Sequence, residues 1–141
     1  MMRNSTANKI ADLVNRRNKL PNKLERYTVN TGNYFYIATN EGKPDEEILA
    51  CVRAKCMSFF CYELKHLAVN EKYEGQGLGK KMVAIVEDFV RTKKVPILCA
   101  TTRADNQGAI KLFNKLGYKP TKEFTNAGTS NPCILWQKDL L

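Results

Sequence analysis

The chain has 141 residues, of which 43% are hydrophobic, and this size suits a single domain over residues 1–141 with one core. No run of 18 apolar residues occurs, and the first 19 residues are too polar for a secretory signal, so we expect a cytoplasmic protein without a membrane partner. The chain carries 23 Lys and Arg against 14 Asp and Glu, a formal net charge of +9 that points to an anionic ligand or partner.

The first half of the chain predicts one helix followed by strands. Ser5 or Thr6 can cap a helix that runs to about Asn18. Pro21 then ends that helix. Apolar runs bounded by turn residues next predict strands over residues 34–39, 47–56 and 61–69.

Helices and strands alternate over much of the second half. The predicted elements are a helix over residues 77–92, a strand over 97–102, a helix over 106–116, and final strands over 118–124 and 133–139. Strands that are grouped early and later alternate with helices indicate an α/β fold in three layers, with a mixed central sheet flanked by helices.

A glycine-rich loop before the second helix is the most informative feature of the chain. Gly75, Gly77 and Gly79 alternate where the helix begins, and glycine lets a ligand approach the main chain closely. The first amides of a helix have no partner inside it and lie at the positive end of its dipole, so they bind anions such as phosphate. We therefore expect a phosphorylated ligand at residues 76–80.

Two well-known phosphate loops do not fit this segment. A Walker loop needs four residues between its glycines, followed by Lys and then Ser or Thr. Here three residues separate Gly75 from Gly79. Lys81, rather than a hydroxyl residue, follows Lys80, which argues against ATP or GTP hydrolysis. A dinucleotide-binding loop needs its third glycine at the position that Lys80 occupies, so that pattern fails as well.

Two segments match the patterns of one superfamily. Residues 74–79 fill the pattern Gln/Arg-x-x-Gly-x-Gly/Ala between a strand and a helix, except that Glu74 stands at the first position. Residues 106–118 fill the pattern Asn-x-x-Ala-x-x-Leu-Tyr/Phe-x-x-x-Gly-Phe/Tyr, through Asn106, Ala109, Leu112, Phe113, Gly117 and Tyr118. Together these segments resemble the GNAT superfamily of acetyl-CoA-dependent N-acetyltransferases.

The resemblance implies a GNAT-like fold and direct acetyl transfer. The superfamily commonly begins with a strand before its first helix, and residues 1–4 are too few for one, so we expect that strand to be absent or supplied by a partner. The implied reaction moves an acetyl group from acetyl-CoA, without a metal, to a primary amine of a protein or other macromolecule. The residues implied to contact acetyl-CoA are Leu67, Ala68, Val69, Glu74, Gly75, Gln76, Gly77, Leu78, Gly79, Lys80, Asn106 and Phe113.

A carboxylate near the loop is the candidate general base. Glu63 lies eleven residues before Glu74, where the histone-acetylating branch of the superfamily has its catalytic glutamate. An apolar cleft would suit this role, whereas an ion pair with Lys65 would keep the carboxylate charged and a poor base. His66 is the alternative base, but strand alternation places it on the opposite face unless a bulge intervenes.

Other positions complete the implied chemistry. The main chain of residues 67–69 is the usual partner of the coenzyme in this superfamily, with the Val69 N–H as donor to the developing oxyanion. Many members have tyrosine where this chain has Phe113, which carries no proton for the leaving thiolate. Tyr118 is expected to pack in the core.

The cysteine spacing raises the question of a metal site. Cys51, Cys56, Cys61 and His66 recur at every fifth residue. Successive side chains of a strand point to opposite faces, so this odd spacing separates neighbouring ligands. We therefore expect reduced thiols that behave as small apolar groups, and no metal.

Positive charge is concentrated at the start of the chain. Residues 1–30 hold seven basic and two acidic side chains, a net charge of +5. This arm favours an acidic protein or a nucleic-acid-associated acceptor, although a solvated cationic surface explains it equally well. Two other functions stay open, a non-catalytic acyl-CoA-binding module and a nucleic-acid-binding protein, and a homodimer is compatible with each.

Overall fold

Four α-helices and six strands form the fold, which a computed structural model describes over residues 2–141. In chain order the elements are α1 (Asn4–Arg17), α2 (Arg26–Thr31), β1 (Tyr34–Thr39), β2 (Glu47–Cys56), β3 (Cys61–Val69), a 3-10 turn (Glu71–Tyr73), α3 (Leu78–Thr92), β4 (Ile97–Arg103), α4 (Gln107–Lys115), β5 (Lys119–Thr125) and β6 (Pro132–Asp139). Among these residues no strand precedes α1, and no helix is long and apolar enough to cross a bilayer.

The six strands form one mixed sheet in the order β1-β2-β3-β4-β6-β5. Strands β3 and β4 are parallel, since α3 carries the chain from the end of one strand back to the start of the other. The other neighbouring strands are antiparallel. The predicted mixed sheet is confirmed.

Helices cover both faces of the sheet, so the predicted three layers are confirmed too. On one face α3 and α4 pack over a core that includes Met82, Leu98 and Trp136. On the other face α1 packs through Ile10 and Val14. Each fully buried aliphatic side chain of this kind stabilises the fold by about 1.5–3 kcal/mol.

The start of α1 differs from the predicted cap. Helix α1 begins at Asn4, and neither Ser5 nor Thr6 caps it. The Thr6 hydroxyl instead donates to the buried Glu46 carboxylate at 2.7 Å, and the Gly42 N–H donates to the other oxygen at 3.0 Å. Burial alone would raise the pKa of Glu46, but these two donors hold that pKa below its usual value. Thr6 therefore ties α1 to the β1–β2 turn.

Helix α2 was missed by sequence reasoning. It has only six residues, and Val29 is its single buried side chain. A helix this short shows no repeating apolar stripe, and its packing against α1 rather than its own sequence holds it in place.

A buried polar network joins α3, β6 and the segment after α4. The Tyr118 hydroxyl donates to the Glu87 carboxylate at 2.7 Å, and Lys138 Nζ donates to the same oxygen at 2.9 Å. Tyr118 is 3% exposed, which confirms that it packs in the core. Burial and the neighbouring Glu87 raise the pKa of Tyr118, so its proton stays in this network.

This network predicts the effect of removing one hydroxyl. Tyr118→Phe removes one of the two donors to a buried oxygen of the Glu87 carboxylate, and a hydrogen bond to a charged group contributes more than one between neutral groups, so we expect the free energy of unfolding to fall by about 2 kcal/mol. Denaturant unfolding measures the change. Tyr27 is 76% exposed, and Tyr27→Phe should change stability by less than about 0.5 kcal/mol. Equal stability of the two variants would contradict the role given to the network.

Candidate active site

The parallel strands β3 and β4 part halfway along their length. They pair from Cys61 and Ile97 to Leu64 and Ala100. Beyond that point β4 stays paired with β6 as far as Arg103, while β3 stays paired only with β2. The main chain of the last residues of β3 therefore faces an opening instead of a strand.

A bulge in β3 lies at this opening. Lys65 pairs with Arg53 and Ala68 pairs with Cys51, so β3 has one more residue than β2 between the two pairs. His66 lies at this bulge and has a φ of 55°. Simple alternation, which places His66 opposite Glu63, is therefore wrong here. Leu64 belongs to the core under α3 and α4, so its neighbour Glu63 points to the other face of the sheet, where His66 contacts Tyr34 of the core under α1. Glu63 and His66 line one cavity.

The glycine loop presents free amides to the same opening. Gly77 is the N-cap of α3, with a φ of 76°, and the first helical bond runs from the Lys81 N–H to the Gly77 carbonyl at 3.1 Å. The amides of residues 78–80 thus have no partner within the helix. A Cβ added at Gly75 or Gly77 would meet nothing within 4 Å, so the loop leaves space for a ligand directly at the main chain.

A cavity of about 490 Å³ lies against this loop. Ten of the twelve residues predicted to contact acetyl-CoA line it, namely Leu67, Ala68, Val69, Glu74, Gly75, Gly77, Leu78, Gly79, Lys80 and Asn106. Gln76 is exposed and lies outside the lining, and Phe113 lines the neighbouring cavity instead. The Asn106 side chain caps α4 by accepting the Ala109 N–H at 3.1 Å.

A second cavity, of about 600 Å³, lies beside the first. Glu63 and His66 line it. Four residues line both cavities, so the two meet where β3 and β4 part; these residues are Arg17, Asn18, Leu67 and Asn106. The arrangement can bring a ligand on the glycine loop and a second ligand beside Glu63 into contact.

Glu63 is half-buried in the wall of the second cavity. Within residues 2–141 it makes no ion pair shorter than 4.0 Å, so the expected alternative of a pair with Lys65 is not formed. Its register partner on β4 is Cys99. The carboxylate is thus available to a ligand in the cavity.

His66 has a different environment. Its Nδ1 atom lies 2.6 Å from the Tyr34 hydroxyl, and the two rings stack with their centroids 5.8 Å apart. Burial, with added repulsion from Lys65 and Arg53, lowers the pKa of His66 to about 4. The imidazole is therefore neutral at pH 7 and has one nitrogen already engaged.

The four side chains that recur at every fifth residue, Cys51, Cys56, Cys61 and His66, do not meet at one site. The Cys51 thiol faces the His66 carbonyl at 3.8 Å, and the Cys61 thiol faces that of Cys99 at 3.6 Å. Cys56 is exposed at the end of β2. Over the described part of the chain, no three His, Cys, Asp or Glu side chains gather as a metal site would require.

The end of α1 reaches the glycine loop, a contact that sequence reasoning missed. Arg17 forms ion pairs with Glu74 and, at 3.6 Å, with Glu71. Arg16 pairs with Glu71 at 2.7 Å. The sequence shows an excess of basic residues near the start of the chain. Which of them pair with acidic residues of the glycine loop depends on how α1 lies across the sheet.

Comparisons with known proteins agree with this geometry. The segment 9–118 matches the model of the Acetyltransferase (GNAT) family. The chain is 29% identical over 75 residues to N-acetyltransferase 8B of Rattus norvegicus; that segment covers 53% of this chain but only 31% of the relative.

Solved structures share the fold across most of their length. The NatC complex bound to Gag peptide and CoA contains a chain with a TM-score of 0.82 and 18% identity, over 96% of this chain and 91% of that one. A GNAT family acetyltransferase from Elizabethkingia anophelis with acetyl-CoA bound has a TM-score of 0.70 and 22% identity, over 91% and 88% of the two chains. At such identities the likeness shows the fold alone. With the family match over most of its length, the chain belongs to the GNAT acetyltransferase family.

Proposed function

We propose that the protein transfers an acetyl group from acetyl-CoA to a primary amine of a protein or another macromolecule. One observation carries the proposal: free amides at the start of α3 face a cavity that meets a second cavity containing a carboxylate without an ion-pair partner. The cytoplasmic location and the homodimer remain predictions from the sequence.

The first cavity suits the pyrophosphate and the pantetheine arm of the coenzyme. The amides of residues 78–80 and the positive end of the helix dipole favour phosphate oxygens.

The direction of the Val69 amide follows from its neighbour in the chain. The Asn70 N–H donates to the Leu49 carbonyl of β2 at 2.8 Å. Because neighbouring amides of a strand point to opposite sides, the Val69 N–H points to the opening. This amide is our candidate donor to the oxyanion that forms on the thioester carbonyl.

The second cavity suits the acceptor amine. An amine must be neutral to attack, and for a lysine side chain at pH 7 deprotonation costs roughly 4.6 kcal/mol. Glu63 is the proposed base because it lines this cavity and its carboxylate makes no ion pair shorter than 4.0 Å within residues 2–141. His66 is the weaker candidate, since its pKa is lowered to about 4 and Tyr34 engages its ring.

No tyrosine takes the role of acid in this proposal. Phe113 occupies the expected position and packs against Trp136 and Tyr118. The Tyr118 hydroxyl is bound to Glu87 inside the core. A free thiol has a pKa of about 8.5, so water can protonate the leaving thiolate at modest cost.

An acceptor panel tests the proposal. Purified protein is incubated with acetyl-CoA and with peptides, proteins, RNA and small amines, while free thiol and intact acceptor mass are followed. We expect one acetyl group added to an acceptor for each thiol released. Tight acetyl-CoA binding without transfer to any acceptor would favour the non-catalytic module. Salt-sensitive binding of RNA without transfer would favour the nucleic-acid-binding function.

Arg17 gives a further prediction. Its guanidinium balances Glu74, which would otherwise repel a phosphate in the first cavity. We expect Arg17→Ala to weaken acetyl-CoA binding about fivefold, or ~1 kcal/mol, in a calorimetric titration. Arg16 pairs with Glu71 but lines neither cavity, so Arg16→Ala should leave the affinity unchanged. Equal losses of acetyl-CoA affinity in both variants would show that this affinity depends on general surface charge and not on Arg17 in particular.

A further inference from the structure

The cavity beside Glu63 is lined by far more positive than negative charge. Five basic residues line it, against the single acidic residue Glu63; they are Arg17, Lys19, Lys23, Lys65 and Arg103. His66 adds no charge at pH 7, since its pKa is lowered to about 4. A ligand in this cavity therefore meets a strongly positive potential.

Three of the five cations have no acidic partner. Lys19, Lys23 and Lys65 make no ion pair shorter than 4.0 Å with any residue in the range 2–141. Arg17 is paired with Glu74, and Arg103 with the exposed Asp105 at 3.1 Å. The three lysines are thus available to anionic groups of a bound acceptor.

The walls of this cavity come close together. Residues 18–24, which follow α1, line it on one side, and Phe124 and Asn126 line it on the β5–β6 side. The loop between β5 and β6 also contacts the first side next to the cavity, since a Cβ placed at Gly128, which does not itself line the cavity, would lie 2.9 Å from the Pro21 side chain. An extended chain end can enter such a space more easily than an amine on the surface of a folded domain or on a duplex.

We infer that the acceptor is the amino terminus of an acidic peptide chain, an inference that rests on the proposed function. The terminal amine would lie at Glu63, and carboxylates of the following residues would bind Lys19, Lys23 and Lys65. The positive potential disfavours an ammonium ion. An α-amino group, with a pKa of about 7.7–8.0, loses its proton far more easily than a lysine side chain does, at about 10.4.

Three peptides that differ only in charge test the inference. Each begins with serine, followed by three Glu, three Gln or three Lys, and each is titrated into protein saturated with CoA and also assayed for kcat/KM with acetyl-CoA. We expect the acidic peptide to bind at least tenfold more tightly than the neutral one, and the basic peptide not to bind. Equal affinities of the three peptides would overturn the inference.

A charge reversal at one lysine tests whether the preference for the acidic peptide arises in this cavity. Lys23→Glu should reduce the preference for the acidic peptide about tenfold, because one local cation becomes an anion. Lys111→Glu makes the same change of net charge on an exposed position of α4 that lines neither cavity, and it should keep the preference. Equal effects of the two variants would overturn the inference, as would displacement of the acidic peptide by a single-stranded oligonucleotide at lower concentration.

Two readouts separate this inference from the proposed function. Acetyl transfer to all three peptides with equal kcat/KM would defeat the acidic preference and leave the acetyltransferase intact. Selective binding of the acidic peptide, without transfer to any peptide, would defeat the proposed reaction while supporting an acidic-peptide site.

Discussion

Replacing Glu63 with Gln is expected to lower kcat for acetyl transfer about 1000-fold while leaving acetyl-CoA binding unchanged. Glutamine has the size of glutamate but cannot take the proton of the attacking amine, and a positioned base typically contributes 10²–10⁴-fold. Glu63 lines the second cavity but not the one beside the glycine loop. The loss should therefore fall on kcat and not on the affinity for the coenzyme.

The pH profile makes this prediction specific. As the pH rises towards the pKa of the amine, more of the acceptor is neutral without help, so the defect of Glu63→Gln should shrink. Glu123 is exposed on β5 and lines neither cavity, so Glu123→Gln should retain full activity at every pH. If Glu63→Gln keeps more than a tenth of the activity at pH 7, Glu63 is not the base.

Replacing Gly77 with Ala is expected to weaken acetyl-CoA binding about 100-fold, or ~2.7 kcal/mol. The added Cβ meets no protein atom within 4 Å, so the clash arises only with a ligand at the main chain. Gly77 also has a φ of 76°, which costs an L-residue about 1–2 kcal/mol of stability. Calorimetric titration and thermal unfolding measure the two effects separately.

Gly117 offers a matched control for this substitution. It has a φ of 87°, a Cβ there meets nothing within 4 Å, and it lines neither cavity. Gly117→Ala should therefore cost similar stability and leave acetyl-CoA affinity unchanged. An equal loss of affinity in both variants would mean that Gly77 acts through stability alone.

Local signals in the sequence predict the central elements well. Strand β3 covers the predicted range 61–69 in full, because apolar residues alternate with Glu63 and Lys65 along it and the polar residues Asn70 and Glu71 follow its end. Helix α3 starts one residue later than predicted, at Leu78, where glycines mark the change from loop to helix. Local sequence patterns predict these elements, and their order along the chain predicts the fold class.

Features that depend on tertiary packing could not be read from local patterns. The bulge that brings His66 to the cavity of Glu63 exists because β2 and β3 pair with unequal lengths of chain. Thr6 resembles a helix cap in sequence, yet the buried Glu46 takes its hydroxyl. The lysines of the second cavity come from two separate segments, so only the fold shows that they face one space.

The proposed coenzyme site requires the main-chain amides of residues 78–80 to bind a pyrophosphate, and one calorimetric comparison tests this requirement directly. CoA and pantetheine share the thiol arm, but only CoA carries the pyrophosphate and the nucleotide. We expect CoA to bind with one site per chain and pantetheine to bind at least 100-fold more weakly. Equal affinity for the two compounds, or no heat of binding with CoA, would contradict this mode of coenzyme binding.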